Sequence, residues 1–195
     1  LDVVYRTQGL NNGDGKANAI FFNKKKWKLI EEETFWLSDT PTKPESKSWG
    51  NTLPRIATVV VLESKTDDKR IRVLNTLLDH RSESSRLNSI EMILSKLEDY
   101  KDQYPTLLVG DFNVLSEDPV AKRITEEYSD TYTGGPFEGC TYHSFHGGKN
   151  CPRIDYIFYR NSDGFEMTNS GIDRFERNRL FTSDHYLIHA KFILK

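Results

Sequence analysis

Strand-like apolar runs recur along the chain, at residues 19–22, 27–37, 55–62, 70–78, 106–109, 154–159, 165–173 and 186–194. Their Val, Ile, Thr and aromatic content, partly alternating with polar positions, suits sheets. Two stretches carry helical spacing instead. From Ser84 to about Gln103, Leu87, Ile90, Leu94 and Leu97 fall on one stripe of an amphipathic helix, which Pro105 would stop. A shorter helix is predicted from Asp118 to Tyr128, with Pro119 in its first turn. Residues 11–15, Asn-Asn-Gly-Asp-Gly, carry hairpin turn chemistry. The basic run Lys24-Lys25-Lys26-Trp27-Lys28 reads as a solvated hairpin or as a patch for an anion. The sum is an α/β (α+β) protein with mixed or mostly antiparallel sheets and few helices, in a single domain over residues 1–195.

Composition narrows the function classes. The 195 residues are 36% hydrophobic and 12% aromatic, too rich for a disordered chain. No run approaches the roughly 18–20 apolar residues of a membrane span. Lys and Arg total 27 against 29 Asp and Glu, so no bulk charge is available to grip a long nucleic acid. The two cysteines, Cys140 and Cys151, flank a glycine-containing turn and lack zinc-ligand spacing. If bridged they indicate a secreted protein, and if free a cytoplasmic one.

Four segments set polar groups where apolar strands end. Leu107-Leu108-Val109-Gly110-Asp111-Phe112-Asn113 ends a buried strand in a glycine and then presents a carboxylate and a carboxamide. Taken alone, Asp-x-Asn after a strand is more often an Asx-turn than a site. In Arg153-Ile154-Asp155-Tyr156-Ile157-Phe158 a charged pair opens a core-like strand, and the two residues could simply bind each other. Thr182-Ser183-Asp184-His185 precedes the last strand, and Asn75-Thr76-Leu77-Leu78-Asp79-His80 ends an earlier one. Together these residue types suit hydrolysis of a phosphate ester. A phosphodiester repels hydroxide, so its cleavage needs a cation, a base and donors for the phosphoryl oxygens. Carboxylates hold a hard cation, an amide donates to phosphate, and a His oriented by a carboxylate exchanges protons near neutral pH.

In this order the segments resemble the endonuclease/exonuclease/phosphatase superfamily, the metal-dependent phosphodiesterase fold of deoxyribonuclease I and exonuclease III. Thr34-Phe35-Trp36-Leu37-Ser38-Asp39-Thr40-Pro41 and Gly139-Cys140-Thr141-Tyr142-His143 are similar to its small bacterial-type branch. The resemblance implies a four-layer α/β sandwich of two packed mixed sheets flanked by helices. By the same likeness Asp111 would position or deprotonate the attacking water and Asn113 would bind the scissile phosphate. Asp184 would ligate Mg²⁺ or Mn²⁺, and His185, oriented by Asp155, would contact the phosphate or shuttle a proton. Asn75 and His143 would lie on the substrate side of the cleft. The substrate would be a phosphate ester such as a nucleotide, a short nucleic acid or a small phosphodiester.

Two departures qualify the likeness. Family members start with a strand ending in Asn and another ending in Gln-Glu, whose Glu binds metal, whereas residues 1–6 resemble the segment on the C-terminal side of these strands. The expectation is therefore an N-terminally incomplete fold, with an exposed sheet edge covered by a partner or a second copy. The second departure is Leu77, where the branch usually has His. Alternation along a strand puts Asn75, Leu77 and Asp79 on one face, so Leu77 should occupy that histidine's place, with His80 or His143 as the candidates to replace it. Two functions are implied: a metal-dependent phosphate-ester hydrolase, or a degenerate relative that binds phosphate ligands or proteins without catalysis.

Overall fold

Residues 1–4, 17–100, 104–134, 139–160 and 164–195 are described by the computed structural model, and the turn expected at 11–15 lies outside them. In chain order the elements are β1 (Asp2–Val4), β2 (Ile20–Phe22), β3 (Trp27–Trp36), β4 (Ile56–Ser64), β5 (Arg70–Leu77) and α1 (Glu83–Asp99). Then come β6 (Thr106–Asp111), α2 (Pro119–Thr125), β7 (Ser129–Asp130), β8 (Asp155–Tyr159), β9 (Phe165–Asp173) and β10 (Leu187–Leu194). Six strands form one mixed sheet in the order β3-β4-β5-β6-β8-β7, in which only β5 and β6 run parallel. The pairs β1–β2 and β9–β10 are separate antiparallel ribbons.

Alternation along the strands divides the core between the two faces of the large sheet. On one face Leu74, Leu108 and Phe158 pack with Ile90, Ile93 and Leu94 of α1 and with Val120 and Ile124 of α2. On the other, Val60 and Leu62 of β4 meet Val4, Ile20 and Phe22 of the first ribbon. The second ribbon joins at β8, where the Phe192 ring lies 5.2 Å from that of Tyr159. Strand β4 is covered on both sides, which explains its nearly unbroken apolar sequence. Each fully buried Leu or Ile in this core contributes roughly 1.5–3 kcal/mol. The mixed α/β architecture expected from the sequence is present, with both described helices on the same face of the sheet. None of the described helices is long and apolar enough to cross a membrane.

Both helices are capped by their own sequence. Ser82 Oγ accepts the Ser85 N–H at the start of α1, and Asp118 does the same for Val120 ahead of Pro119 in α2. Helix α1 ends at Asp99 because Tyr100 turns extended; residues 101–103 of its expected span lie outside the described residues. Helix α2 stops at Thr125, three residues short of the expected Tyr128. The parallel crossover β5–α1–β6 sends two strands to the same edge, and β8 starts there in the opposite sense. Leu77, Asp111 and Asp155 therefore stand abreast on three neighbouring strands.

Candidate active site

The Gly-Asp-Phe-Asn turn at the end of β6 builds the centre. Gly110 has φ +142°, and a Cβ there would run into the Thr76 carbonyl of the neighbouring strand, so only glycine lets β5 and β6 stay paired at this point. Phe112 is completely buried and packs edge-on against Tyr156 and Phe158, at 5.7 and 5.3 Å. Anchoring that ring leaves Asp111 and Asn113 half-buried on either side of it. Asp111 Oδ1 accepts the Asn113 N–H at 2.9 Å, and Asn113 takes a left-handed φ of 53°. The Asx-turn reading of Asp-x-Asn therefore holds, and the turn is what presents the Asp111 carboxylate. One N–H of the Asn113 amide donates to the Leu78 carbonyl at 3.0 Å, and the second N–H is left over.

Asp155 opens β8 directly opposite Asp111. Its Oδ2 lies 2.8 Å from His185 Nδ1. An ionised carboxylate only accepts, so the proton sits on Nδ1 and leaves Nε2 for other chemistry. Carboxylate oxygens of Asp111 and Asp155 and a ring nitrogen of His185 all lie within 4.8 Å of one another. Burial, joined by the charge of Asp155, raises the Asp111 pKa to about 6. The hydrogen bond to Asp155 raises that of His185. Arg153 does not serve Asp155 as its ion-pair partner; it binds Asp130 at 2.7 Å.

A loop clasps this pair from the side. Thr141 Oγ1 accepts the N–H groups of Ile154 and Asp155, at 3.0 and 3.3 Å. Tyr142 forms an isolated antiparallel bridge with His185, with their rings 4.9 Å apart. The N–H groups of His143 and Ser144 both donate to the Asp184 carbonyl. A disulfide between Cys140 and Cys151 closes the loop. Thr141 and Tyr142 belong to the Gly139–His143 segment that carries the family resemblance, but no residue pattern gives them a role of their own.

The remaining expected residues are distributed around this centre. Asn75 faces the first ribbon and donates to the Ala19 carbonyl at 3.0 Å. The Asp184 carboxylate lies outside the Asp111–Asp155–His185 group, near enough for its charge to act on His185. His143 is 4% exposed and is stacked on Tyr186 and Phe181, at 4.0 and 4.6 Å. His80 Nδ1 sits 3.0 Å from Arg55 Nη2 and must accept there, since arginine has only donors. Neither histidine joins the central group, so no described imidazole takes the place that Leu77 holds beside Asp111. Asp79 is structural: it is fully buried against Arg55, 24 residues away, at 3.3 Å. Burial alone would raise its pKa, but the N–H groups of Ser82 and Arg81 and the Arg55 charge outweigh it and hold the pKa below the ordinary value.

The sequence profile of the Endonuclease/Exonuclease/phosphatase family matches residues 8–185. The chain belongs to that family. Membership makes it a phosphoesterase-type hydrolase in class. Solved structures are similar to nearly the full length of the chain. An endonuclease/exonuclease/phosphatase from Bacteroides vulgatus is similar at TM-score 0.90 and 25% identity, over 100% of this chain and 76% of that one. A functionally unknown conserved protein from Enterococcus faecalis V583 gives 0.88 and 28%, over 100% and 77%. The mannosyl-6-phosphatase of Bacteroides thetaiotaomicron VPI-5482 shares the fold at 0.83 and 24%, over 99% and 77%. No curated protein matches the chain.

Proposed function

We propose that the chain hydrolyses phosphate esters with the help of a divalent cation. The observation that carries this reading is the Asp155–His185 pair held beside Asp111, three groups brought together from separate strand ends. A cation fits them: oxygen donors predominate, and burial together with the charge of Asp155, which a cation would offset, pushes the Asp111 pKa up. Since Asp155 is committed to His185 and Asp111 to the water, Asp184, whose charge reaches His185, is the carboxylate that would hold Mg²⁺ or Mn²⁺ beside this group. Bound there, the ion would neutralise phosphate charge and acidify water.

The chain's own residues divide the rest of the work. Asp111, with one oxygen fixed by the Asn113 N–H, orients the attacking water and takes its proton as the new O–P bond forms. The spare N–H groups of the Asn113 and Asn75 amides bind phosphoryl oxygens. His185 enters as the imidazolium that its hydrogen bond to Asp155 favours, gives its Nε2 proton to the leaving oxygen as the ester bond breaks while Asp155 holds the Nδ1–H, and is recharged by the proton that Asp111 took from the water. The disulfide supports placement of the chain in an oxidising, extracytoplasmic compartment. Hydrolysis of a generic phosphate ester with Mg²⁺ or Mn²⁺ tests the reading. Asp111→Asn should lower kcat by about 10²–10⁴-fold, and a chelator should abolish turnover. Turnover indifferent to both would overturn it.

One observation favours a second reading, a non-catalytic phosphate-binding module. Leu77 stands beside Asp111 and offers the phosphate no donor. If that missing donor limits the site, Leu77→His should raise kcat by about 10²-fold. A Leu77→His variant no faster than the parent, with the parent inactive, would favour the binding module.

A further inference from the structure

A recess of about 180 Å³ opens beside His185, between the β9–β10 connection and the clasping loop. We infer that it is the subsite for the group esterified to the phosphate, and that it takes one monosaccharide ring. This rests on the hydrolase reading, since His185 is shared by the recess and by the Asp155 pair. A phosphate in contact with His185 leaves its organic group at the mouth of this recess.

Size and chemistry select the occupant. The volume is below the roughly 300 Å³ at which sites for larger ligands begin, so it holds a single ring. Phe175, 65% exposed, Phe181 and Tyr186 line it and give it aromatic surface suited to the C–H side of a sugar. Asp173 and Thr182 add a carboxylate and a hydroxyl for ring hydroxyls. Asp173 spends one oxygen on the Phe175 N–H at 3.0 Å, which ties down the Phe175 backbone and leaves the other oxygen for the ligand. His143 also lines the recess. Its Nδ1 accepts the Gly147 N–H, so Nε2 carries the proton, and this buried N–H has no partner among the described residues. A hydroxyl oxygen satisfies such a donor; a purely apolar group does not. Among the described residues no lysine or arginine lines the recess, so it offers no countercharge to a second phosphate or a polynucleotide backbone.

The test compares kcat/KM of the metal-supplied full chain on a hexose phosphate, a nucleoside monophosphate and glycerol phosphate. The hexose phosphate should be preferred over glycerol phosphate by at least tenfold. Phe175→Ala and Asp173→Asn should each cut that preference about three- to tenfold, mainly through KM; the Asn keeps the acceptor for the Phe175 N–H. Metal-dependent turnover with no hexose preference, with the nucleotide preferred, or with a preference untouched by both variants overturns the subsite and leaves the hydrolase reading standing. If no ester is turned over, saturation-transfer NMR with the hexose phosphate reads the subsite directly. Transfer to ring protons that Phe175→Ala removes supports it, and no transfer overturns it.

Discussion

Replacing Asp79 by Asn would leave the Arg55 guanidinium charged and without its carboxylate in a place where the two side chains are 1% and 0% exposed. Water cannot compensate there. Breaking a buried pair by neutralising one partner typically costs about 3–5 kcal/mol. More is attached to Asp79 than the ion pair. Its Oδ1 accepts the N–H groups of Arg81 and Ser82, at 2.9 and 2.8 Å, and Ser82 in turn caps α1. The loss therefore falls on the junction between β5 and α1, immediately after Leu77. Urea denaturation at pH 7 should show a lowered midpoint with an unchanged slope, equivalent to about 3–5 kcal/mol out of a total that is about 5–15 kcal/mol for ordinary domains. Adding Arg55→Met to Asp79→Asn removes the stranded charge and should recover at least about 2 kcal/mol. The pH dependence has a definite sign. The Asp79 pKa is depressed in the folded chain, so its contribution is complete above the unfolded value near about 3.9 and fades as pH falls through the folded one. The parent should accordingly lose part of its stability at acid pH that Asp79→Asn never had. A loss below about 1 kcal/mol, or a double variant no more stable than Asp79→Asn, would refute the reasoning.

The other predictions concern the site and its clasp. Asp111 is held ionised at neutral pH against burial and against Asp155, so its raised pKa destabilises the metal-free fold as pH rises through about 6. Asp111→Asn should then stabilise the metal-free chain by up to about 3 kcal/mol at pH 8 and less at pH 4, read by thermal unfolding; a lower Tm at pH 8 would contradict it. Reducing the Cys140–Cys151 bridge frees a loop of sequence separation 11 and should cost about 3 kcal/mol by chain entropy. Because that loop holds Asp155 and His185 together, phosphate release should fall with it, measured before and after treatment with a dithiol. Unchanged activity on full reduction would separate the clasp from the site.

Much of this is legible in the sequence because the relevant constraints are local. β-branched and aromatic runs form the long strands, and the stripe Leu87, Ile90, Leu94, Leu97 forms α1. What stays hidden is non-local or very short. β1 and β7 span three and two residues, too few to show a period. Arg55 and Asp79 find each other across 24 residues, and Arg153 finds Asp130 rather than the neighbouring Asp155, with no sequence spacing to announce either. Adjacency in the chain does not fix proximity in the fold: Asp184 is next to His185, yet its carboxylate lies outside the Asp111–Asp155–His185 group. The Leu77 expectation rests on strand alternation, and the register placing it beside Asp111 obeys the same rule.

The central claim is that Asp155 and His185 act as one unit in phosphate-ester hydrolysis, and a double-mutant cycle on phosphate release in Mg²⁺ tests it most directly. Asp155→Asn and His185→Ala should each lower kcat by about 10²–10⁴-fold, and the double variant should be no worse than His185→Ala alone. Single variants that leave kcat unchanged, or two losses that multiply in the double variant, would contradict it.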